Sequence, residues 1–149
     1  MKNLDVEGVG KKLTGMARRI MLLTQYKDMT FDEYLEDDER QAVVERYLEV
    51  IIQAAIDINR MLIKSSRSID NKEVSNKDAF TLVGQLGIIT PELAISLIPS
   101  AGFRNILAHA YDDIMPDAAY SGLQLSLVEY PQYIRQVKTY INSVVQDDE

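Results

Sequence analysis

The sequence contains no cysteine, a single histidine and no long apolar run. Without cysteine, neither a disulfide framework nor a thiolate metal site can form, which suits a reducing compartment. No stretch approaches the roughly 18 consecutive apolar residues that indicate a membrane helix, and residues 1–5 do not open the apolar segment of a secretory signal. We therefore expect a cytoplasmic protein that makes no use of a membrane.

Sustained period-two alternation is also missing, so the sequence offers no strand pattern. Apolar residues instead recur at spacings of three and four, as at Val9, Leu13 and Met16. Of the 149 residues, 46% are hydrophobic, enough for one core, and no linker or repeat divides the chain. We predict a single all-α domain over 1–149, an up-and-down bundle of four to five main helices whose acidic tail, 146–149, frays.

The first half of the chain predicts two long helices, at 4–27 and about 38–65, with a short one between them. Thr30 and Glu33 have the spacing of a capping box, which would open the short helix. The second long helix is apolar on most sides, so we expect it to form the spine of the bundle. A loop should follow over residues 65–71.

Hydroxyl residues and prolines mark the later helices. Ser75 can cap a helix that ends near Leu86, before Gly87. Thr90 followed by Pro91 is a second start signal, because proline fits the first position of a helix.

The helix that starts there should reach about residue 111, with a kink or break just before Pro99. A helix at about 117–127 should follow, and Pro131 should open the last helix, which ends near Val145.

His109 is the default candidate for acid–base chemistry, since it is the only histidine and imidazole titrates near neutral pH. The alternative is an ordinary surface or core histidine. Helical spacing places it among four large polar side chains that flank a strip floored mainly by alanine; these are Arg104, Asn105, His109 and Tyr111. The face expected to pack on the bundle carries Phe103, Ile106, Leu107, Ala110 and Ile114.

The ten residues from Gly102 to Tyr111 resemble the signature of HepT-type toxins, a branch of the HEPN superfamily. That signature reads R-N-x-x-x-H-x-Y and is usually preceded by Gly-Phe, as it is here. Residues 53–58 resemble the central helix of these toxins, and 87–93 resemble the lead-in to their motif helix. The resemblance covers nearly the whole chain, and Pro99 departs from it, because relatives are often continuously helical there.

The resemblance implies a metal-independent endoribonuclease, without a cofactor, that acts as a homodimer with the motif helices facing one another. RNA carries its own nucleophile, the 2′-hydroxyl, so an imidazole and a guanidinium suffice to form a 2′,3′-cyclic phosphate. His109 would be the acid or base and Arg104 the phosphate clamp. Asn105 would orient the imidazole or the substrate, and Asp57 could hold Arg104.

Tyr111 is a poor base at neutral pH, because a phenol titrates near pH 10. In the family this position receives AMP from the cognate antitoxin, a minimal nucleotidyltransferase of the MntA type. The resemblance therefore implies a toxin–antitoxin pair in which AMP on Tyr111 blocks the site against RNA, whether tRNA or mRNA.

A non-catalytic helical module that binds a minimal nucleotidyltransferase or a nucleotide is the alternative. The intact Arg104 and His109 favour the enzyme. The net charge of −7 favours the binding module, because an acidic chain is a poor candidate for wide phosphate-backbone binding. The acidic residues cluster over 28–49, which could meet a basic face of the antitoxin or be simply solvated. The basic stretch 60–77 could steer RNA, with a solvated loop as its alternative.

Overall fold

A computed structural model describes residues 3–66, 73–109 and 115–147, and in that part of the chain every regular element is helical. The helices are α1 Val6–Leu23, α2 Phe31–Leu35, α3 Asp38–Ser66, α4 Asn76–Gln85, α5 Pro91–His109 and α6 Pro116–Asp147, with a 3₁₀ turn at Thr24–Tyr26. The predicted all-α bundle is confirmed: α2 is a single short helix, and the other five form the body of the fold. None of the described helices has the length and apolar character that crossing a bilayer requires.

Helix starts follow the local signals in the sequence. The Thr30 hydroxyl accepts from the Glu33 backbone N–H at 3.1 Å, and the Glu33 carboxylate accepts from the Thr30 N–H at 3.2 Å, so the predicted capping box is formed. Ser75 caps α4 through its hydroxyl. The Thr90 hydroxyl accepts from the Leu93 N–H at 3.2 Å at the start of α5. These ends are local in origin, which is why the sequence predicts them.

Helix α3 is the spine of the bundle, as predicted, and contacts each of the other five helices. Its centre is buried, and it meets α6 through a buried polar contact. The Tyr133 hydroxyl donates to Asn59 Oδ1 at 2.6 Å and lies 3.2 Å from the Ala55 carbonyl oxygen. Burial raises the pKa of Tyr133 well above its usual value, so this hydroxyl remains a donor at any physiological pH.

The N-terminal end of α5 is fixed by two glycines. A Cβ on Gly84 would lie 2.7 Å from the Ala94 Cβ, so the bare glycine is what allows α4 to approach α5 this closely. Gly87 ends the α4 segment with a φ of +77°, a left-handed conformation that favours glycine. Ile88 and Ile89 then bury their side chains in the core. Helix α5, which carries Arg104 and His109, therefore begins directly after a turn that is anchored in the core.

Neither of the two internal prolines breaks its helix. Helix α6 runs without interruption from Pro116 to Asp147, so the prediction of two helices separated at Pro131 is wrong. A proline removes one backbone hydrogen bond, but Tyr130, Tyr133 and Val137 are completely buried around it, and their packing stabilises the continuous helix. Pro99 likewise lies inside α5 without breaking it.

Some predicted boundaries fall outside the described residues. The predicted loop at 65–71 begins inside α3, which ends at Ser66, and 67–72 are not described. Residues 146 and 147 are still helical, and the rest of the predicted frayed tail lies outside the described part.

Candidate active site

Arg104 lies in the C-terminal half of α5 and points toward α3. Its side chain is partly buried, and its Nε donates to Gln53 Oε1 at 2.5 Å. Among the described residues this is the one hydrogen bond of the guanidinium, so its two terminal nitrogens have no partner there. The arginine is thus held by one edge and offers the other edge to a ligand.

Gln53 belongs to a polar network that links three helices. Its Nε2 donates to Asp57 Oδ1 at 2.8 Å, one turn further along α3. The other oxygen of Asp57, Oδ2, lies 3.6 Å from the Lys12 ammonium nitrogen on α1. The sequence suggests Asp57 as the residue that holds Arg104, but the structure places Gln53 between them. Asp57 supports Arg104 through the glutamine.

These side chains surround a polar cavity of about 310 Å³ between α1, α3 and α5. Its charged lining residues are Lys12, Arg46, Glu49, Asp57 and Arg104. Arg46 pairs with Glu49 at 3.4 Å, and Lys12 with Asp57, so Arg104 is the cation of the cavity whose charge no carboxylate of the described residues offsets at close range. The cavity can accept an anionic group such as a phosphate at Arg104.

Of the other predicted site residues, the structure describes Asn105 in full and His109 only in its backbone. Asn105 is exposed on α5. His109 is the last residue of that helix, and its side chain lies outside the described residues, as does the whole of Tyr111. On an ideal helix the positions of Arg104 and His109 differ by about 140° around the axis. The structure therefore brings together Arg104, Gln53 and Asp57 and leaves the positions of the imidazole and the phenol as predictions.

The predicted packing face of α5 is partly wrong. Leu107 is buried as expected, but Ile106 is 52% exposed, whereas Ala101, expected in the floor of a groove, is 2% exposed. The side of α5 that carries Arg104 is the side that faces the bundle. Ile95 is 69% exposed on the opposite side. Since α5 is apolar on almost every side, its own pattern does not single out the buried face.

Four large apolar side chains are exposed on α5 and α6. They are Ile95 and Ile106 on α5 and Leu125 and Val128 on α6, and we call this set the α5–α6 face. A cavity of about 180 Å³ opens between the two helices beside Leu125. Glu129 also lines it, and partial burial raises the pKa of its carboxyl group, an effect that the Ser96 hydroxyl opposes. Monomeric soluble proteins seldom leave large apolar patches uncovered.

Gln53 is the site residue that sequence reasoning did not single out. The one available signal was its position four residues before Asp57, which places both side chains on the same face of a helix. Nothing local connects it with Arg104, which lies 51 residues further along the chain.

The sequence model of the family described as "Ribonuclease HepT-like" matches residues 16–137. The "tRNA nuclease HepT" of Aphanizomenon flos-aquae is 35% identical over 149 residues, covering 100% of both chains. The "mRNA nuclease HepT" of Shewanella oneidensis is 34% identical over 64 residues, which is 43% of this chain and 48% of that relative.

Among solved structures, the tri-AMPylated HEPN toxin of Shewanella oneidensis in complex with its MNT antitoxin superimposes with a TM-score of 0.71 at 26% identity, covering 93% of this chain and 99% of that one. The similarity therefore extends to the fold as well as to the sequence over residues 16–137. By its family match and its full-length relative, the chain belongs to the HepT-like ribonucleases.

Proposed function

We propose that this protein is the endoribonuclease toxin of a cytoplasmic toxin–antitoxin pair and that Arg104 clamps the scissile phosphate of RNA. The observation that carries the proposal is the arginine itself, which is anchored through Nε while its terminal nitrogens have no hydrogen-bond partner among the described residues. A guanidinium in this state can donate to two phosphate oxygens at once. Family membership supplies the reaction class.

The chemistry requires little beyond these groups. The 2′-hydroxyl of the RNA attacks the adjacent phosphorus, His109 takes or returns the proton, and the 5′-oxygen of the next nucleotide leaves. Negative charge grows on the phosphate oxygens, and Arg104 stabilises it. Asn105 orients the imidazole or the substrate. The products are a 2′,3′-cyclic phosphate and a 5′-hydroxyl, and no step needs a metal.

The substrate that we favour is tRNA. The relative that aligns over its full length is named a tRNA nuclease, whereas the one named an mRNA nuclease aligns over less than half of this chain. The proposed antitoxin is an MntA-like nucleotidyltransferase that transfers AMP to Tyr111. The tri-AMPylated Shewanella toxin supports that modification, since it shares the fold of this chain.

Purified protein incubated with tRNA and with mRNA in the presence of EDTA tests the catalytic proposal. We expect cleavage of tRNA in EDTA, with products that end in a 2′,3′-cyclic phosphate and a 5′-hydroxyl, read by end-labelling and mass spectrometry. Cleavage that stops in EDTA, or that leaves 5′-phosphates, would contradict the mechanism. A protein that cleaves neither RNA yet binds a nucleotidyltransferase would instead be the non-catalytic module that its net charge of −7 favours.

We further propose a homodimer that buries the α5–α6 face, so that the two motif helices face one another. Replacing Ile106 by Glu would place a charge in that contact, and a buried unpaired charge is costly. We expect Ile106→Glu to sediment as a monomer in analytical ultracentrifugation. Met21→Glu, at a 74% exposed apolar side chain on α1, is the matched control and should stay dimeric. An Ile106→Glu variant that remains a dimer would place the interface elsewhere.

A further inference from the structure

The amide of Gln53 has only one orientation that satisfies both of its partners. A guanidinium can only donate, and an ionised carboxylate can only accept. The amide oxygen must therefore face Arg104 Nε, at 2.5 Å, and the amide nitrogen must face Asp57 Oδ1, at 2.8 Å. The Lys12 ammonium, 3.6 Å from the second Asp57 oxygen, offsets the charge of that carboxylate. The network therefore fixes the glutamine at both ends of its amide.

The neutrality of Gln53 matters for what Arg104 can still bind. A carboxylate at this position would form a two-point ion pair with the guanidinium and would compete with a phosphate for the same charge. An amide oxygen supplies a single acceptor and no charge. It orients the guanidinium through Nε while the full positive charge and both terminal nitrogens remain available.

We propose that Gln53 is a positioning residue for RNA cleavage: a neutral tether that fixes the plane of Arg104 at the wall of the polar cavity without neutralising it. Asp57 accepts from the amide nitrogen of Gln53, which turns the amide oxygen toward Arg104, and Lys12 pairs with Asp57. This inference rests on the proposed function of Arg104 as the phosphate clamp. It adds that the clamp is preorganised by α3 before RNA arrives.

Two substitutions separate orientation from charge. Gln53→Leu is close in size but cannot accept a hydrogen bond, so Arg104 loses its fixed position, and we expect kcat to fall by about ten- to a hundredfold. Gln53→Glu keeps an acceptor for Arg104 Nε at the same reach, but it gives up the donor to Asp57 and adds a charge. We therefore expect the KM for RNA to rise as the carboxylate competes with the phosphate. Gln85→Leu, at an exposed position on α4, is the matched control and should leave both constants unchanged.

A direct readout of the tether does not depend on catalysis. The Nε–Hε signal of Arg104 in ¹⁵N NMR, assigned by its disappearance in Arg104→Lys, should be protected from solvent exchange in the wild-type protein and in Gln53→Glu. It should exchange rapidly in Gln53→Leu, at an unchanged Tm. If the wild type cleaves no RNA, the proposed function fails, but this signal still decides whether Gln53 holds Arg104.

Three outcomes would overturn the inference. The first is an Arg104 signal that exchanges equally in the wild type and Gln53→Leu. The second is wild-type kcat in Gln53→Leu. The third is an identical loss of activity in the Leu and Glu variants that parallels a lower Tm, which would show that Gln53 acts only through stability.

Discussion

Replacing His109 by Ala should lower the rate of RNA cleavage by about a hundred- to ten-thousandfold, the usual contribution of a general acid or base. The chain has no second histidine, so no other imidazole can take over the proton transfer. The change should leave the bundle intact, because it alters none of the buried core residues of α5, which run from Leu93 to Leu107. Single-turnover cleavage and thermal unfolding, measured side by side, check the prediction.

A second variant sharpens the test of His109. Gln can hydrogen-bond at this position but cannot titrate near neutral pH, so His109→Gln should be nearly as inactive as His109→Ala. Any residual activity should lose the pH dependence that the wild-type imidazole confers. Arg104→Ala serves as the reference for loss of the phosphate clamp. A fully active His109→Ala protein would remove His109 from the mechanism.

Replacing Tyr111 by Phe should abolish AMP transfer and leave the toxin active. In the proposed modification the phenolic oxygen attacks the α-phosphate of ATP, a phosphodiester bond forms, pyrophosphate leaves, and the phenolic proton passes to solvent. Phe lacks that oxygen but keeps the ring. We expect co-expression with the nucleotidyltransferase to yield adenylyl mass on the wild-type protein and none on Tyr111→Phe, and we expect the antitoxin to rescue growth only of cells that express the wild type.

The control for this experiment is Tyr120→Phe. The Tyr120 hydroxyl donates to the Met29 backbone carbonyl at 2.5 Å and is therefore already engaged inside the bundle. Tyr120→Phe should still acquire AMP on Tyr111. Adenylyl mass on Tyr111→Phe, or on any other residue of the wild type, would refute the assignment.

Sequence reasoning succeeds here where the cause of a structure is local. The capping box of Thr30 and Glu33 and the caps at Ser75 and Thr90 each involve contacts within three residues, and all are present. The prediction of a helix boundary at Pro131 fails, because the packing of buried neighbours such as Tyr133 outweighs the local cost of a proline in a helix. Burial of that kind depends on what α3 presents from across the core.

In the candidate site, too, only the residues marked by a local feature of the sequence could be predicted. Arg104 and His109 stand out because the motif and the rarity of histidine mark them. The partner of Arg104 does not, because Gln53 reaches it only through the packing of α3 on α5. The buried side of α5 could not be predicted either, because that helix carries apolar residues on more than one side. Ile106, for example, is expected in the core but is exposed.

The polar cavity takes its walls from Lys12, from the segment 46–57 and from Arg104, which has a consequence for how the protein is made. Translation delivers these parts in order, and Arg104 is the last of them. A nascent or truncated chain that stops before Arg104 therefore has no finished pocket, whatever helices it has already formed. Activity at this pocket would therefore begin only after Arg104 has been synthesised and α5 has packed against α3.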